Sequence, residues 1–240
     1  MGTYILLLKN RKPVAEGTMA FYFDKPVGFA FSGGQSIDLT LIDPPQTDAE
    51  GDTRTFSLAS APFEPDLMVA TRMRDTAFKR VLKTMPLGTG VKVEGPFGSM
   101  TLPRKATRTS VLLAGGIGIT PFRSMLCQAT AANTGQRLYL FYSNRRPEDA
   151  AFLAELQELA QQYQNLTLVA TMTDLGKSKV AWGGTQGYIN KELLVRSIGD
   201  LAGPLYFIAG PPALVAGMRK LLQDAGVEDD NICSEDFSGY

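Results

Sequence analysis

Four short stretches of the chain carry residue types that could do chemistry. In Val111–Leu126, VLLAGGIGITPFRSML, an apolar run leads into Gly115, Gly116 and Gly118, then Thr120-Pro121 and an apolar stretch fit for a helix. Strand, glycine turn and helix N-terminus together make a phosphate-binding device. The glycines let the backbone approach an anion closely, and free helix N–H groups point at it. Arg54-Thr55-Phe56-Ser57 forms the second stretch. An arginine can clamp a diphosphate, an aromatic can lie against a ring system, and a serine can offer its hydroxyl to a ring nitrogen. Gly95-Pro96-Phe97-Gly98 is the third, and Ala209-Gly210-Pro211-Pro212 the fourth. Ligands of open parallel sheets sit beyond the carboxyl ends of the strands, so both glycine segments should face one crevice.

The elements that must position these residues fall into two halves. Tyr4–Lys9, Thr18–Phe23, Ile37–Ile42, Arg54–Ala59, Asp66–Arg74 and Gly90–Glu94 have strand character and are separated by Gly, Pro and Asp turn clusters. Strands at this spacing predict a small antiparallel barrel or sandwich. Thr76–Met85 interrupts them with apolar Phe78, Val81 and Leu82 at helical spacing, and Thr76 can cap that helix. Beyond Pro103-Arg104-Lys105 the pattern alternates. Val111–Ala114, Leu138–Tyr142, Leu166–Thr171 and Tyr206–Ala209 read as buried strands. Pro121–Ala132, Pro147–Tyr163, Asn190–Ile198 and Pro212–Ala225 read as helices, with Phe152, Leu153, Leu156 and Leu159 as one core stripe. This alternation predicts a parallel sheet with helices on its faces. The expected division is residues 1–104 for the β-barrel domain and 105–240 for the α/β domain.

Composition narrows the function classes. Lys+Arg and Asp+Glu balance at 24 each, which gives no electrostatic case for nucleic acid or an anionic membrane. No stretch approaches a membrane span, and in the N-terminal MGTYILLLKNRKP the apolar run is too short for a signal peptide and no basic region precedes it, so neither is expected. Cys127 and Cys233 are the only cysteines and histidine is absent, so the chain cannot ligate an iron–sulfur cluster through cysteines and no metal site is expected. Cys127 reads as core and Cys233 as a small buried residue. A cytoplasmic, disulfide-free protein is the expectation. Nothing in the motifs speaks to oligomeric state.

With these residues in order, the chain resembles the ferredoxin–NADP reductase superfamily, an FAD-binding barrel followed by a pyridine-nucleotide domain. The resemblance covers almost the whole length. It rests on RTFS, GPFGS, LLAGGIGITPF, LYLFYSNRRPEDAAFLAEL, YFIAGPP and the terminal SEDFSGY, each at its expected place. The resemblance implies that Arg54 and Thr55 lie at the flavin, with Arg54 on its diphosphate. Phe56 would flank the isoalloxazine and Ser57 approach N5. Val69, Ala70, Thr71 and Arg72 would run beside the ring, and Thr76 and Ala77 would lie at the diphosphate. Gly115, Gly116, Gly118 and Thr120 would hold the nicotinamide nucleotide's diphosphate, and Gly210 and Pro211 would border the nicotinamide. Glu235 and a following aromatic, Phe237 or Tyr240, would close the flavin's other face. Phe56 stands where the family usually has tyrosine, Ala209 where cysteine is common, and Asp75-Thr76-Ala77-Phe78 where the family has a glycine-led turn.

The implied activity is an FAD-dependent oxidoreductase. It would pass electrons between NAD(P)H and a separate acceptor or donor, such as ferredoxin, by hydride transfer between nicotinamide C4 and flavin N5. Two alternatives stay open: a flavin or ferric-chelate reductase that holds its flavin loosely, and a non-catalytic electron-transfer subunit or sensor. Ser143, Asn144 and Arg145, with Arg146, follow the second parallel strand, where arginines favour a 2′-phosphate. Thr173-Asp174 follows the third strand, where Asp174 would repel one, and the balance leans to NADH over NADPH.

Overall fold

The structure is a computed structural model that describes residues 2–103 and 108–237. The expected boundary at 104/105 falls outside these residues. The first half is built on six strands: β1 (Gly2–Ala15), β2 (Thr18–Asp24), β3 (Ser36–Leu41), β4 (Thr53–Ser57), β5 (Asp66–Arg72) and β6 (Gly90–Phe97). They form an antiparallel sheet in the order β4-β3-β6-β1-β2-β5. β1 bends the sheet, because Gly2–Leu7 pairs with β6 whereas Leu8–Ala15 pairs with β2 through two register shifts. The chain after β4 returns to β5, where the Ala59 N–H donates to the Met68 carbonyl at 2.8 Å, so the sheet curls towards closure. Leu6, Leu8, Phe21, Phe23, Ile37, Leu39, Leu67, Val91 and Val93 alternate inward and fill it. Helix α1 (Ala77–Thr84) covers one end with Phe78, Val81 and Leu82. The Thr76 hydroxyl caps it by accepting the Lys79 N–H, as its sequence predicts.

The second half is a parallel sheet. Its strands are β7 (Ser110–Gly115), β8 (Leu138–Asn144), β9 (Leu166–Met172), β10 (Thr185–Gln186), β11 (Leu205–Gly210) and β12 (Ile232–Asp236), in the order β10-β9-β8-β7-β11-β12. Helices α2 (Ile119–Ala131), α3 (Leu153–Gln162), α4 (Lys191–Ile198) and α5 (Pro212–Asp224) pack on its faces. The sheet is apolar on both sides, as central parallel strands must be. Leu112, Ala114, Leu140 and Tyr142 join one core cluster; Val111, Leu113, Phe141 and Ile208 join the other. The first of these clusters also takes in Ala20, Ala59, Met68, Ala70 and Met100, so one continuous apolar layer joins the two sheets. Among the described residues no helix is long and apolar enough to cross a membrane.

Two expectations need correction, and two strands come in addition. The helix expected over Pro147–Tyr163 is broken: a 3₁₀ turn at Pro147–Asp149 precedes Phe152, which is left-handed (φ 61°), and only Leu153–Gln162 is α-helical. The break places the Phe152 ring 5.4 Å from the Arg123 guanidinium, gives the Ala151 carbonyl to Tyr142 Oη, and leaves Asp149 buried between arginines. Helix α2 starts two residues before Pro121, because a 3₁₀ turn over Gly116–Gly118 feeds directly into it. Strands β10 and β12 were not expected from the sequence: β10 has two residues, and β12 mixes polar and apolar residues because one of its edges is unpaired.

Candidate functional site

The glycine turn closes the carboxyl end of β7. Its glycines do different things. A Cβ on Gly118 would fall inside the carbonyl oxygen of Ala209, and one on Gly210 would lie 3.0 Å from the Gly115 backbone. A Cβ on Gly115 would meet Pro211 at 3.0 Å and press on Leu214. These three glycines let the ends of β7 and β11 meet. Gly116, at φ 53°, has nothing within 4 Å of an added Cβ, so it alone of the four borders open space. The Thr120 hydroxyl donates to the Ile117 carbonyl at 3.1 Å and is used within the turn. The turn lies against β5 of the first sheet. Among the described residues no strand covers the outer edge of β5, which leaves main-chain groups of Val69–Arg72 beside the turn.

Strand β4 carries the second motif. Ser57 is 6% exposed, and its Oγ is buried with no hydrogen-bond partner. A buried hydroxyl left unpaired is costly, and a ligand acceptor is one explanation for it. Ser57 pairs in register with Ser36 of β3, and a Cβ on neighbouring Gly98 would lie 3.9 Å from Ser36 Oγ and 3.7 Å from Glu235 Oε1. The Glu235 carboxylate therefore reaches from β12 across to the Gly95–Gly98 turn of the other half. Burial holds its carboxyl above the usual carboxylate range. Phe237, which follows, donates its backbone N–H to the Gly210 carbonyl at 2.9 Å and packs on the shared core. Tyr240 lies outside the described residues.

Arg54 points from the same strand towards α1. Its guanidinium lies 5.1 Å from the Phe78 ring, and the Phe56 ring is tilted against Phe78 at 5.9 Å. Arg54 Nη1 donates to the carbonyls of Glu50, Gly51 and Thr53 at 2.8–2.9 Å. Its Nη2 pairs with Asp48 at 3.3 Å and with Glu50 at 2.9 Å. Asp48 also takes the Ala77 N–H at the start of α1. Thr55 turns to the other face and donates to Asp38. The structure thus brings Arg54, Phe56, Thr76 and Ala77 to one place, and sets Ser57 beside Ser36, which shares the surroundings of Gly98 with Glu235.

At the carboxyl end of β8, Ser143 and Asn144 are buried and Arg145 is exposed. The Asn144 and Arg145 carbonyls accept the N–H groups of Thr173 and Asp174, so these four residues lie side by side. Arg146 turns away, to Asp149 at 2.8 Å and Glu16 at 3.2 Å. Arg72 reaches the same Asp149 at 3.4 Å.

Several residues here were not found from the sequence. Arg123 of α2, 8% exposed at its side chain, binds Glu64 and the Ala59 carbonyl of the first half and Glu155 of α3. Burial opposes its charge, but the hydrogen bonds of Glu64 and Glu155 outweigh that and keep the proton on it. Ser124 Oγ donates to the Ser60 carbonyl, and the Gly33 N–H donates to Gln128 Oε1 at 2.7 Å, so α2 is tied to the first half along its length. Arg123 and Ser124 lie in the stretch after the glycine turn but were given no role there, Gln128, Asp48 and Ser36 belong to no motif, and an arginine inside an apolar helix is the one sequence signal among them.

Comparison with known proteins agrees with this geometry. Residues 112–220 match the oxidoreductase NAD-binding domain family. A ferredoxin–NADP reductase B from Sorangium cellulosum is 30% identical over 221 residues, covering 88% of this chain and 87% of that protein. The reductase subunit of glycine betaine monooxygenase from Chromohalobacter salexigens is 26% identical over 223 residues, covering 92% of this chain; the chain spans 60% of that relative's length. In fold, the chain is similar to a ferredoxin NADP+ reductase from Neisseria gonorrhoeae with bound FAD and NADP, with a TM-score of 0.80, 20% identity and 98% of both chains covered. With one relative matched at this identity over nearly its whole length, the chain belongs to the ferredoxin–NADP reductase-like superfamily of FAD- and NAD(P)-binding oxidoreductases.

Proposed function

We propose that the chain is an FAD-dependent reductase that takes electrons from NADH and passes them to a separate redox protein. Residues 1–104 form the flavin-binding unit in this reading and residues 105–240 the nucleotide-binding unit. The observation that carries it is the buried, unpartnered Ser57 hydroxyl on the strand that also carries Arg54 and Phe56. The residues present fit the implied cofactors: a free hydroxyl, an aromatic face, an arginine at a helix N-terminus, and a glycine turn whose Gly116 is open.

When bound, FAD accepts hydride from a reduced nicotinamide and hands the electrons on. The protein's part is positioning. Arg54 and the α1 N-terminus at Thr76 and Ala77 would hold the flavin diphosphate. Ser57 would give its hydroxyl to the flavin ring, and Val69–Arg72 would offer main-chain groups beside it. Gly116 would admit the nucleotide diphosphate to the α2 N-terminus, while Gly115, Gly118 and Gly210 set the close strand ends that shape the crevice. Glu235, whose carboxyl burial raises above the usual carboxylate range, would place a proton-exchanging group at the crevice. Phe237 or Tyr240 would cover the flavin until nicotinamide displaces it.

NADH is preferred because Arg146 is engaged by Asp149 and Glu16, which removes one of the two guanidiniums that argued for a 2′-phosphate, and Asp174 stands beside Arg145. A cytoplasmic setting suits two cysteines that are both unpaired. The test is the visible spectrum of the purified protein under anaerobic conditions, before and after NADH or NADPH. A flavin spectrum bleached faster by NADH supports the proposal. A colourless protein that takes up no added FAD removes it.

A further inference from the structure

The loop between β3 and β4 carries an acidic side chain to the place given above to the flavin diphosphate. Asp48 Oδ2 accepts the Ala77 N–H at 2.9 Å, the first N–H of α1. Asp48 Oδ1 accepts from Arg54 Nη2 at 3.3 Å and from the Glu50 N–H at 3.1 Å. The Glu50 carboxylate adds a second contact to the same guanidinium at 2.9 Å. A helix N-terminus beside a guanidinium is a site for an anion, and a carboxylate meets the same donors as a phosphate does. Independently, Ser57 Oγ, three residues along the same strand, is buried and unpartnered, which points to a ligand lying along β4.

The position of Asp48 decides what it does. A carboxylate that merely oriented Arg54 would bind the guanidinium alone and leave the helix N–H free. Asp48 instead bonds both donors that a diphosphate would need. We propose that Asp48 is an internal competitor for the flavin diphosphate, so that FAD enters only as Asp48 leaves Ala77 and Arg54, and the flavin is an exchangeable ligand of this chain. The proposal rests on the reading of Arg54 and α1 as the diphosphate site. It deepens that reading by making retention of the cofactor a property of one carboxylate. The Asp48 side chain is 31% exposed and its loop is polar, so moving it disturbs no core.

The test is titration of the flavin-free protein with FAD, followed by flavin fluorescence, for the natural chain and for Asp48→Asn, Asp48→Ala and Arg54→Ala, with circular dichroism melts as the check on folding. Asp48→Asn keeps the shape and removes the charge. Loss of one charged competitor should tighten FAD binding by about tenfold, the scale of one charge-assisted hydrogen bond. Asp48→Ala should tighten it similarly, and Arg54→Ala should weaken it. An unchanged or weaker affinity in both folded Asp48 variants, with the natural chain still binding FAD, overturns the competitor role and leaves the flavin reading intact. Absence of FAD binding in every variant, Asp48→Asn included, overturns both.

Discussion

Four glycines of similar appearance in the sequence have different physical duties. Gly118 and Gly210 are small because another backbone occupies the space where a side chain would be. Gly116 has no such neighbour and is constrained only by its left-handed φ of 53°. Substitution should therefore separate them. Gly118→Ala must push α2 away from β11, and we expect it to lower stability by about 1–3 kcal/mol, the ordinary cost of overpacking. Gly116→Val should fold with a smaller penalty, about 1–2 kcal/mol for the left-handed backbone. It should retain flavin yet lose reduction by the nicotinamide nucleotide, because its branched side chain projects into the crevice. Thermal melts and anaerobic reduction kinetics on the two variants check this. Equal melting temperatures, or normal reduction in Gly116→Val, would remove the distinction.

The same contrast holds at the scale of elements. The strands and helices whose residues repeat with a clean period were legible: β2, β3, β7, β8, α1 and α5 lie within a residue or two of where the sequence puts them. The glycine turn and the Arg54–Ser57 strand were legible too, because local chemistry fixes their residue types. What was not legible depends on partners distant in sequence. Phe152 continues an apolar helical stripe, yet the chain breaks there so that its ring can cover Arg123. Asp48 lies in an unremarkable polar loop, and only the tertiary fold brings it to Ala77. Arg123 looks misplaced in an apolar helix until Glu64, 59 residues away, is seen to meet it. This arginine ties α2, and with it the glycine turn, to the first half. Arg123→Ala would leave the Glu64 and Glu155 carboxylates without their shared cation. Breaking a buried pair on one side costs about 3–5 kcal/mol, and the lower end applies because Glu155 is 41% exposed at its side chain. Urea denaturation should show this loss, with Arg123→Lys intermediate because an ammonium cannot serve both carboxylates and the Ala59 carbonyl in one plane. A variant as stable as the natural chain would mean that the apolar layer alone joins the halves.

At the scale of the molecule, that apolar layer is flanked by a second ionic bridge whose strength depends on pH. Asp149, buried in the 3₁₀ turn that follows β8, holds Arg146 of its own half and Arg72 of the other, and Arg146 continues to Glu16 on the chain after β1. The hydrogen bonds of Arg146 hold the Asp149 carboxyl below the usual carboxylate range; burial pushes the other way, and the charges of Arg146 and Arg72 reinforce the lowering. A carboxyl with a depressed folded pKa stabilises the fold above its unfolded pKa, and that contribution disappears as pH falls through the folded value. Asp149→Asn should therefore cost roughly 2 kcal/mol at neutral pH, the scale of hydrogen bonds to a charged group. The cost should shrink steadily once the pH drops below the ordinary carboxylate range and vanish in stronger acid. Glu235 contributes with the opposite sign, since burial raises its carboxyl and its share of stability falls as pH rises. Asp149 thus adds to the rising limb of stability against pH and Glu235 to the falling one, and Asp149→Asn removes its own share of the rising limb while Asp48, Glu94 and Glu148, whose carboxyls are also lowered, keep theirs. Denaturation curves of both proteins at several pH values measure it directly. Parallel pH profiles would show that Asp149 does not carry the acid sensitivity of the interface, whereas convergence in acid would assign it there.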